Sequence, residues 1–349
     1  MEASKKIYIF LVIVTLVVVL IYAQGIIIPF ILAILFWFMI RIIKKLLKKV
    51  RYVKSWPDWL LTSISSLVLL SFLFLTVEMI SINISQLSNT LPVYEENINK
   101  VTQSIKNSFD IDFSGMMSDF TKDLNFGEIL SKIFSTLTSL FGDAAMVLIY
   151  LIFLLIEEST FPHKLKAMYP ESRKHEKMRD LVKKIDRSVS NYIALKTLVS
   201  LLTGILSYFV LLLIGVDAPA FWAFLIFVLN FIPTIGSLIA TLFPTVFALL
   251  QFGEITPGIL VLVIVGTIQL LVGNFLEPRL MGNSLNISPL VVLLTLTLWG
   301  LLWGIPGMLL SVPITVILII IMSEFEETKP IAILLSRNGN LGEKNKSDG

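Results

Sequence analysis

The chain has 349 residues, 56% of them hydrophobic and only 15% charged, with a mean hydropathy of +0.86. A soluble domain carries about 25% charged residues, so this composition belongs to an integral membrane protein. Cysteine is absent and the two histidines, His163 and His175, lie in one charged segment, which disfavours disulfides, thiolate chemistry and histidine-bound metal; no cofactor is expected.

Ile7 to Ile40 is an apolar run of 34 residues interrupted by Gln24-Gly25 and Pro29. As one helix it would reach about 51 Å, against a hydrocarbon core of about 30 Å, so two short helices in a hairpin are expected. A signal peptide is not, because the run continues past Ala23 without a polar cleavage region. Arg41 to Lys54 then holds seven basic residues and no acid. A basic run flush against a span marks the cytoplasmic side more often than a nucleic-acid site. With Lys5 and Lys6 on the same side of a hairpin, the amino terminus is expected in the cytoplasm.

Trp59 to Ile80 reads as a third span, with Trp56 and Trp59 at interface depth. Asn83 to Ser139 is polar with helically spaced apolar positions, the pattern of a small helical extracytoplasmic insert. Phe141 to Ile156 returns inward, and the charged stretch from Ser159 to Ser190 fits a cytoplasmic connector. Tyr192 to Ile214 crosses outward. Ala220 to Leu250 is apolar but broken by Pro233, Gly236 and Pro244, and Ile255 to Phe275 crosses inward. Leu290 to Met322 is broken again, at Gly300, Gly304, Pro306, Gly307 and Pro313. The pattern predicts an all-α polytopic protein of about eight transmembrane segments. Its parts are 1–80 (hairpin, basic loop and third span), 81–140 (insert), 141–190 (fourth span and connector), 191–322 (a transport domain with two broken hairpins) and 323–349 (a polar cytoplasmic tail).

The two broken runs echo each other. Ala218 to Pro244 and Ser288 to Pro313 each contain a small residue and proline, an apolar helix, Ile-Pro with a nearby glycine, a second helix and a further proline. Paired interrupted segments point to a transporter's binding region; the plainer reading is that glycine and proline are common in membrane helices. Whether each hairpin crosses or re-enters stays open. Between them lies Gly273 to Pro289, where Glu277, Pro278 and Arg279 are adjacent. Proline and glycine there predict freed backbone groups near a membrane boundary. Glu277 could carry a proton or a cation, with Arg279 neutralising it or meeting substrate; equally, both could be interfacial charges fixing depth. Asn230, Gln269 and Asn274 are amides in or beside apolar runs, suited to interhelical hydrogen bonds or to a pathway for a hydroxylated solute. Gly282, Pro289 and the breaks at Pro233–Gly236, Pro306–Gly307 and Pro313 complete the candidate pathway. An intramembrane enzyme is not expected, for want of a cysteine, a histidine pair or a mid-span aspartate pair.

FIPTIGSLIATLFP, FLEPRLMGNSLNISPLVVLLTL and GIPGMLLSVPITVIL together resemble the signature blocks of the AI-2E family of permeases, and the order of segments is similar along nearly the whole chain. The resemblance implies a multi-pass transporter of the cell (plasma or inner) membrane. It implies export of a small polar solute such as the quorum-sensing signal autoinducer-2, driven by an ion gradient, or alternatively monovalent cation (sodium or lithium)/proton antiport. It also implies a homo-oligomer, a pentamer in particular. The expected partners are therefore the lipid bilayer and a small polar solute or a monovalent cation and proton, with no nucleic acid.

Overall fold

The computed structural model describes residues 2–109, 144–281 and 286–339. Their elements are α1 (Glu2–Tyr22), α2 (Gln24–Leu47), α3 (Asp58–Phe109), α4 (Ala144–Met168), α5 (Ser172–Ile214), α6 (Pro219–Leu229), α7 (Ile235–Phe252), α8 (Ile255–Leu271), a π-helical turn (Val272–Leu276), α9 (Glu277–Met281), α10 (Pro289–Ser323) and α11 (Lys329–Leu335). Among the described residues seven helices are long and apolar enough to cross a membrane, and α6 is a shorter apolar helix. Helix is what lipid selects, because each backbone N–H must find its acceptor within the segment. Hydroxyls inside the spans follow the same rule: Ser65, Thr203, Thr245 and Thr315 donate to carbonyls four residues back, at 2.6–2.9 Å.

The chain forms two compact units: Met1–Ser65, Asp143–Ala194 and Asn283–Gly349 make the first, and Ser66–Gly142 with Leu195–Gly282 the second. The long helices α3 (52 residues) and α5 (43 residues) contribute to both. The expected insert begins as a continuation of α3 to Phe109, and 110–143 lies outside the described residues.

In the first unit, α2 packs along α4, and Phe30 meets Tyr150 edge-on at 5.6 Å. Arg41 pairs with Asp186 and Glu158 and lies over the Trp37 ring, 4.7 Å from its centroid, while Trp37 Nε1 donates to Glu158 (2.8 Å). Lys44 and Lys48 share Asp58 at the start of α3. The reversal expected inside Ile7–Ile40 is not the geometry found. Ala23 alone separates α1 from α2, at φ −90° and ψ 9°, and helical hydrogen bonds flank it on both sides: Ala23 N–H to Val19 C=O (2.8 Å) and Ile27 N–H to Ala23 C=O (2.9 Å). One near-helical residue cannot turn a chain back on itself, so Gln24, Gly25 and Pro29 mark a bend. There the Leu20 carbonyl accepts a hydrogen bond from Trp303 Nε1 (3.0 Å).

The second unit is built on an apolar core of α6, α7 and α8, in which the Trp222 ring meets those of Phe221 (5.0 Å) and Phe247 (4.9 Å). α7 packs closely along α8: a Cβ added at Gly258 would stand 2.3 Å from Leu249 Cδ2, and the leucine side chain would have to shift. Outward-facing positions of its helices, such as Leu213 (86% exposed), carry large apolar side chains, as a lipid-facing surface requires.

Candidate functional site in the second unit

Lys196 stands on α5 inside an otherwise apolar stretch, with its side chain 6% exposed. Its Nζ meets Glu277 Oε1 at 2.5 Å, and the glutamate side chain is 24% exposed. A buried ammonium without a counter-ion would be very costly, and Glu277 supplies one at hydrogen-bond distance. Arg279, expected as the charge that neutralises Glu277, is exposed on α9 and does not fill that role. Positions two apart on a helix face different ways, and the acid turns toward α5.

The unwound stretch expected from Gly273 onward is helical as far as Met281. α8 widens into the π-turn Val272–Leu276, where the Glu277 N–H bonds to the Val272 C=O five residues back, and α9 follows. The cause is Pro278: its ring has no N–H and crowds the carbonyl four residues earlier, and a wider turn just ahead of it relieves both problems. Single π-turns of this kind collect at functional positions; this one sets the direction of Glu277.

α6 and α7 form a helical hairpin whose base and tip are both fixed. At the base, Gln251 Nε2 donates to the Gly215 carbonyl (2.9 Å) and its Oε1 accepts from the Asp217 N–H (2.7 Å). Asn97 of α3 is 7% exposed and donates Nδ2 to the carbonyls of Leu250 and Gln251, at 3.0 and 2.9 Å, capping the end of α7. At the tip, Thr234 adopts φ 61° and ψ −60°, and the Ile235 N–H reaches back to the Pro233 carbonyl (2.6 Å), a strained γ-turn. Gly236 presses against the first arm: a Cβ would lie 1.8 Å from the Leu229 carbonyl oxygen.

Two packing registers set the depth of this tip. Gly204 of α5 abuts Ala223 of α6, where an added Cβ would stand 3.0 Å from the carbonyl oxygen. From there α5 runs about 12 Å back to Lys196, while antiparallel α6 runs about 11 Å on to Asn230. On the other side an added Cβ on Gly266 of α8 would lie 3.7 Å from Thr241 Cγ2 of α7; from that contact α7 runs about 9 Å back to its start at Ile235, and α8 with its π-turn about 16 Å on to Glu277. The α5–α6 register brings the Asn230 end of α6 to the level of Lys196, within about one helical turn, and Pro233 and Gly236 follow in the tip. Asn230 is buried there. Gln269 lies deeper on α8, buried, its Nε2 without a partner among the described residues. Ser200 and Ser207, on the Lys196 face of α5, are fully buried with equally unpartnered hydroxyls.

The other expected pathway residues fall elsewhere. Asn274 and Pro278 are exposed on the π-turn and α9, and Gly282 lies outside the described residues. Pro289, Pro306, Gly307 and Pro313 belong to α10 in the first unit. That helix is broken at Gly304 (φ 63°, ψ −140°) into two arms, and a Cβ on Gly307 would lie 1.9 Å from the Trp299 carbonyl oxygen. Pro289 opens the first arm, exposed, and Pro313 is buried in the second. The base of this hairpin is held by backbone: Ser288 N–H to Leu335 C=O (3.1 Å) and Arg337 N–H to Asn286 C=O (3.2 Å), around an isolated Ile287–Ser336 bridge. Lys196, Gln251 and Asn97 escaped the sequence reading. For Lys196 a signal existed, since an ionisable residue inside an apolar span is a functional candidate by default. Among the described residues no cluster of histidine or acidic side chains could hold a metal ion.

Spanning helices, two glycine-locked hairpins and a buried ion pair between α5 and α9 define a polytopic α-helical membrane protein of the transporter class. The family model described as AI-2E family transporter matches residues 8–327. The AI-2 transport protein TqsA of Escherichia coli K12 is 34% identical over 321 residues, 90% of each chain. A Haemophilus influenzae chain named for transport without a stated cargo is 33% identical over 326 residues, again 90% of each. The chain belongs to the AI-2E transporter family and is a transport protein, not an enzyme.

Proposed function

We propose that this permease exports a small polar solute of the autoinducer-2 type, driven by an ion gradient, and that the Lys196–Glu277 pair beside the Asn230–Gly236 tip is its working site. The buried ion pair carries the reading. It is an acid and a base held together in an apolar environment at the level of a hairpin tip, where a cation or proton reaching Glu277 would release Lys196 to a polar cargo. The name of the Escherichia coli relative supports autoinducer-2 as that cargo. The unpartnered Gln269, Ser200 and Ser207 offer a hydroxylated solute hydrogen bonds. Monovalent cation/proton antiport is the second reading, favoured by the same glutamate.

We place the protein in the cell membrane, with Arg41–Lys54, the 159–190 connector and the carboxyl-terminal tail on the cytoplasmic side. The amino terminus was expected there on the strength of a hairpin; the bend at Ala23 removes that support. Assembly as a homo-oligomer, a pentamer by family resemblance, belongs to the same proposal. The experiment is proton movement in everted vesicles on adding sodium, lithium or potassium, with Glu277→Gln alongside. A cation-dependent pH change lost in the variant establishes antiport at Glu277. No response to any cation rejects antiport, and autoinducer-2 accumulation outside cells, lost in the same variant, then tests export.

A further inference from the structure

The seven bases of Arg41–Lys54 divide into two sets. Arg41, Lys44 and Lys48 face the carboxylates of Asp186, Glu158 and Asp58. Lys45, Lys49, Arg51 and Lys54 are exposed, and no ion pair reaches them among the described residues. They are not strung on a loose tail. Backbone hydrogen bonds wind the segment into successive turns, from Lys49 N–H to Leu46 C=O through Lys54 N–H to Val50 C=O and Trp56 N–H to Val53 C=O, all at 3.1 Å. Tyr52 (86% exposed) and Trp56 (42% exposed) stand among these bases, and such rings settle at headgroup depth.

We propose that the last turn of α2 and the ordered turn segment after it form a binding site for anionic phospholipid headgroups, made by Lys45, Lys49, Arg51 and Lys54 and seated by Tyr52 and Trp56. The occupant follows from charge complementarity and position. A basic cluster adjoining a membrane helix meets the negative surface of the leaflet, and the acids close by are already committed to the other three bases. The turns fix the spacing in advance, so little ordering cost opposes binding. The inference does not depend on the transported solute.

The test uses the purified full-length protein in neutral detergent, titrated with dioctanoyl-phosphatidylglycerol, dioctanoyl-phosphatidylcholine or inorganic phosphate, with binding followed as a shift in melting temperature. The anionic lipid is expected to bind saturably, at least tenfold more tightly than the zwitterionic one, and phosphate to give no shift at the same concentrations. Lys45→Gln with Lys49→Gln is expected to weaken that binding by about fivefold or more for each base removed, and Lys→Arg at the same two positions to restore it. Equal affinity for both lipids, or undiminished binding by the glutamine variant, would overturn the site. A phosphate response matching the lipid would overturn the membrane source.

Discussion

The two hairpins share a contact and differ in everything that surrounds it. In both, a glycine of the second arm touches a carbonyl of the first, Gly236 on Leu229 and Gly307 on Trp299, where a Cβ would come within 1.8 and 1.9 Å. In both, a residue with positive φ makes the break, Thr234 and Gly304. Neither hairpin contains a charged side chain; in the second unit a buried ion pair joins α5 and α9. Their bases differ as well. Side chains clasp the α6–α7 hairpin through Gln251 and Asn97, whereas backbone pairing at Ile287 and Ser336 closes the one in α10. The shared glycine contact is architecture that lets two short arms pack; the proposed chemistry belongs to the second unit.

The largest effects should strike the shared contact. Gly236→Ala and Gly307→Ala each drive a methyl into a backbone carbonyl that cannot rotate away, and each should cost about 3 kcal/mol or more, read as a large drop in the melting temperature of solubilised protein. A clear inequality between them would break the parallel. Next comes the feature that separates the hairpins. Glu277→Gln leaves Lys196 buried without its counter-ion, and Lys196→Met leaves the acid alone; each should destabilise by about 3 kcal/mol and abolish transport, while no single polar substitution in α10 should do both. Gln251→Ala and Asn97→Ala should each cost about 1–2 kcal/mol through orphaned backbone groups, with faster hydrogen exchange at Gly215–Asp217 and Leu250–Gln251. Arg337→Ala should leave the α10 base unchanged, because only its backbone is used. The smallest pair is at the breaks. Thr234→Gly should be neutral or stabilising by up to about 1 kcal/mol, since it removes the strain of a positive φ, and Gly304→Ala should lose about 1–2 kcal/mol, both measurable by thermal melting.

Much of this was legible because membranes restrict the choices. Apolar length gives the spans, and the Ile-Pro and glycine pattern marks both breaks, with Gly236 and Gly307 beside them. Glu277 stood out as an acid beside a span. Its partner did not, because Lys196 follows a long run of basic connector residues and reads as the last of them. The bend at Ala23 reads as a reversal in sequence alone: Gln24, Gly25 and Pro29 weaken a helix, but whether a weakened helix bends or reverses is decided by what packs against it. The π-turn likewise needs the three-dimensional conflict between the Pro278 ring and the carbonyl behind it. Asn97 was hidden in a polar stretch where nothing distinguishes a helix cap from a solvated amide.

The central claim is that the Lys196–Glu277 pair works in transport and is more than a tie between helices. The direct measurement is autoinducer-2 extrusion by cells producing the wild-type chain or the double variant Lys196→Met/Glu277→Leu. An apolar pair of similar volume should hold the helices as well as the ion pair does, so the variant should match wild type in melting temperature and membrane abundance. The account predicts that it extrudes no more than cells lacking the protein. Extrusion at the wild-type rate by a stably folded double variant would contradict it.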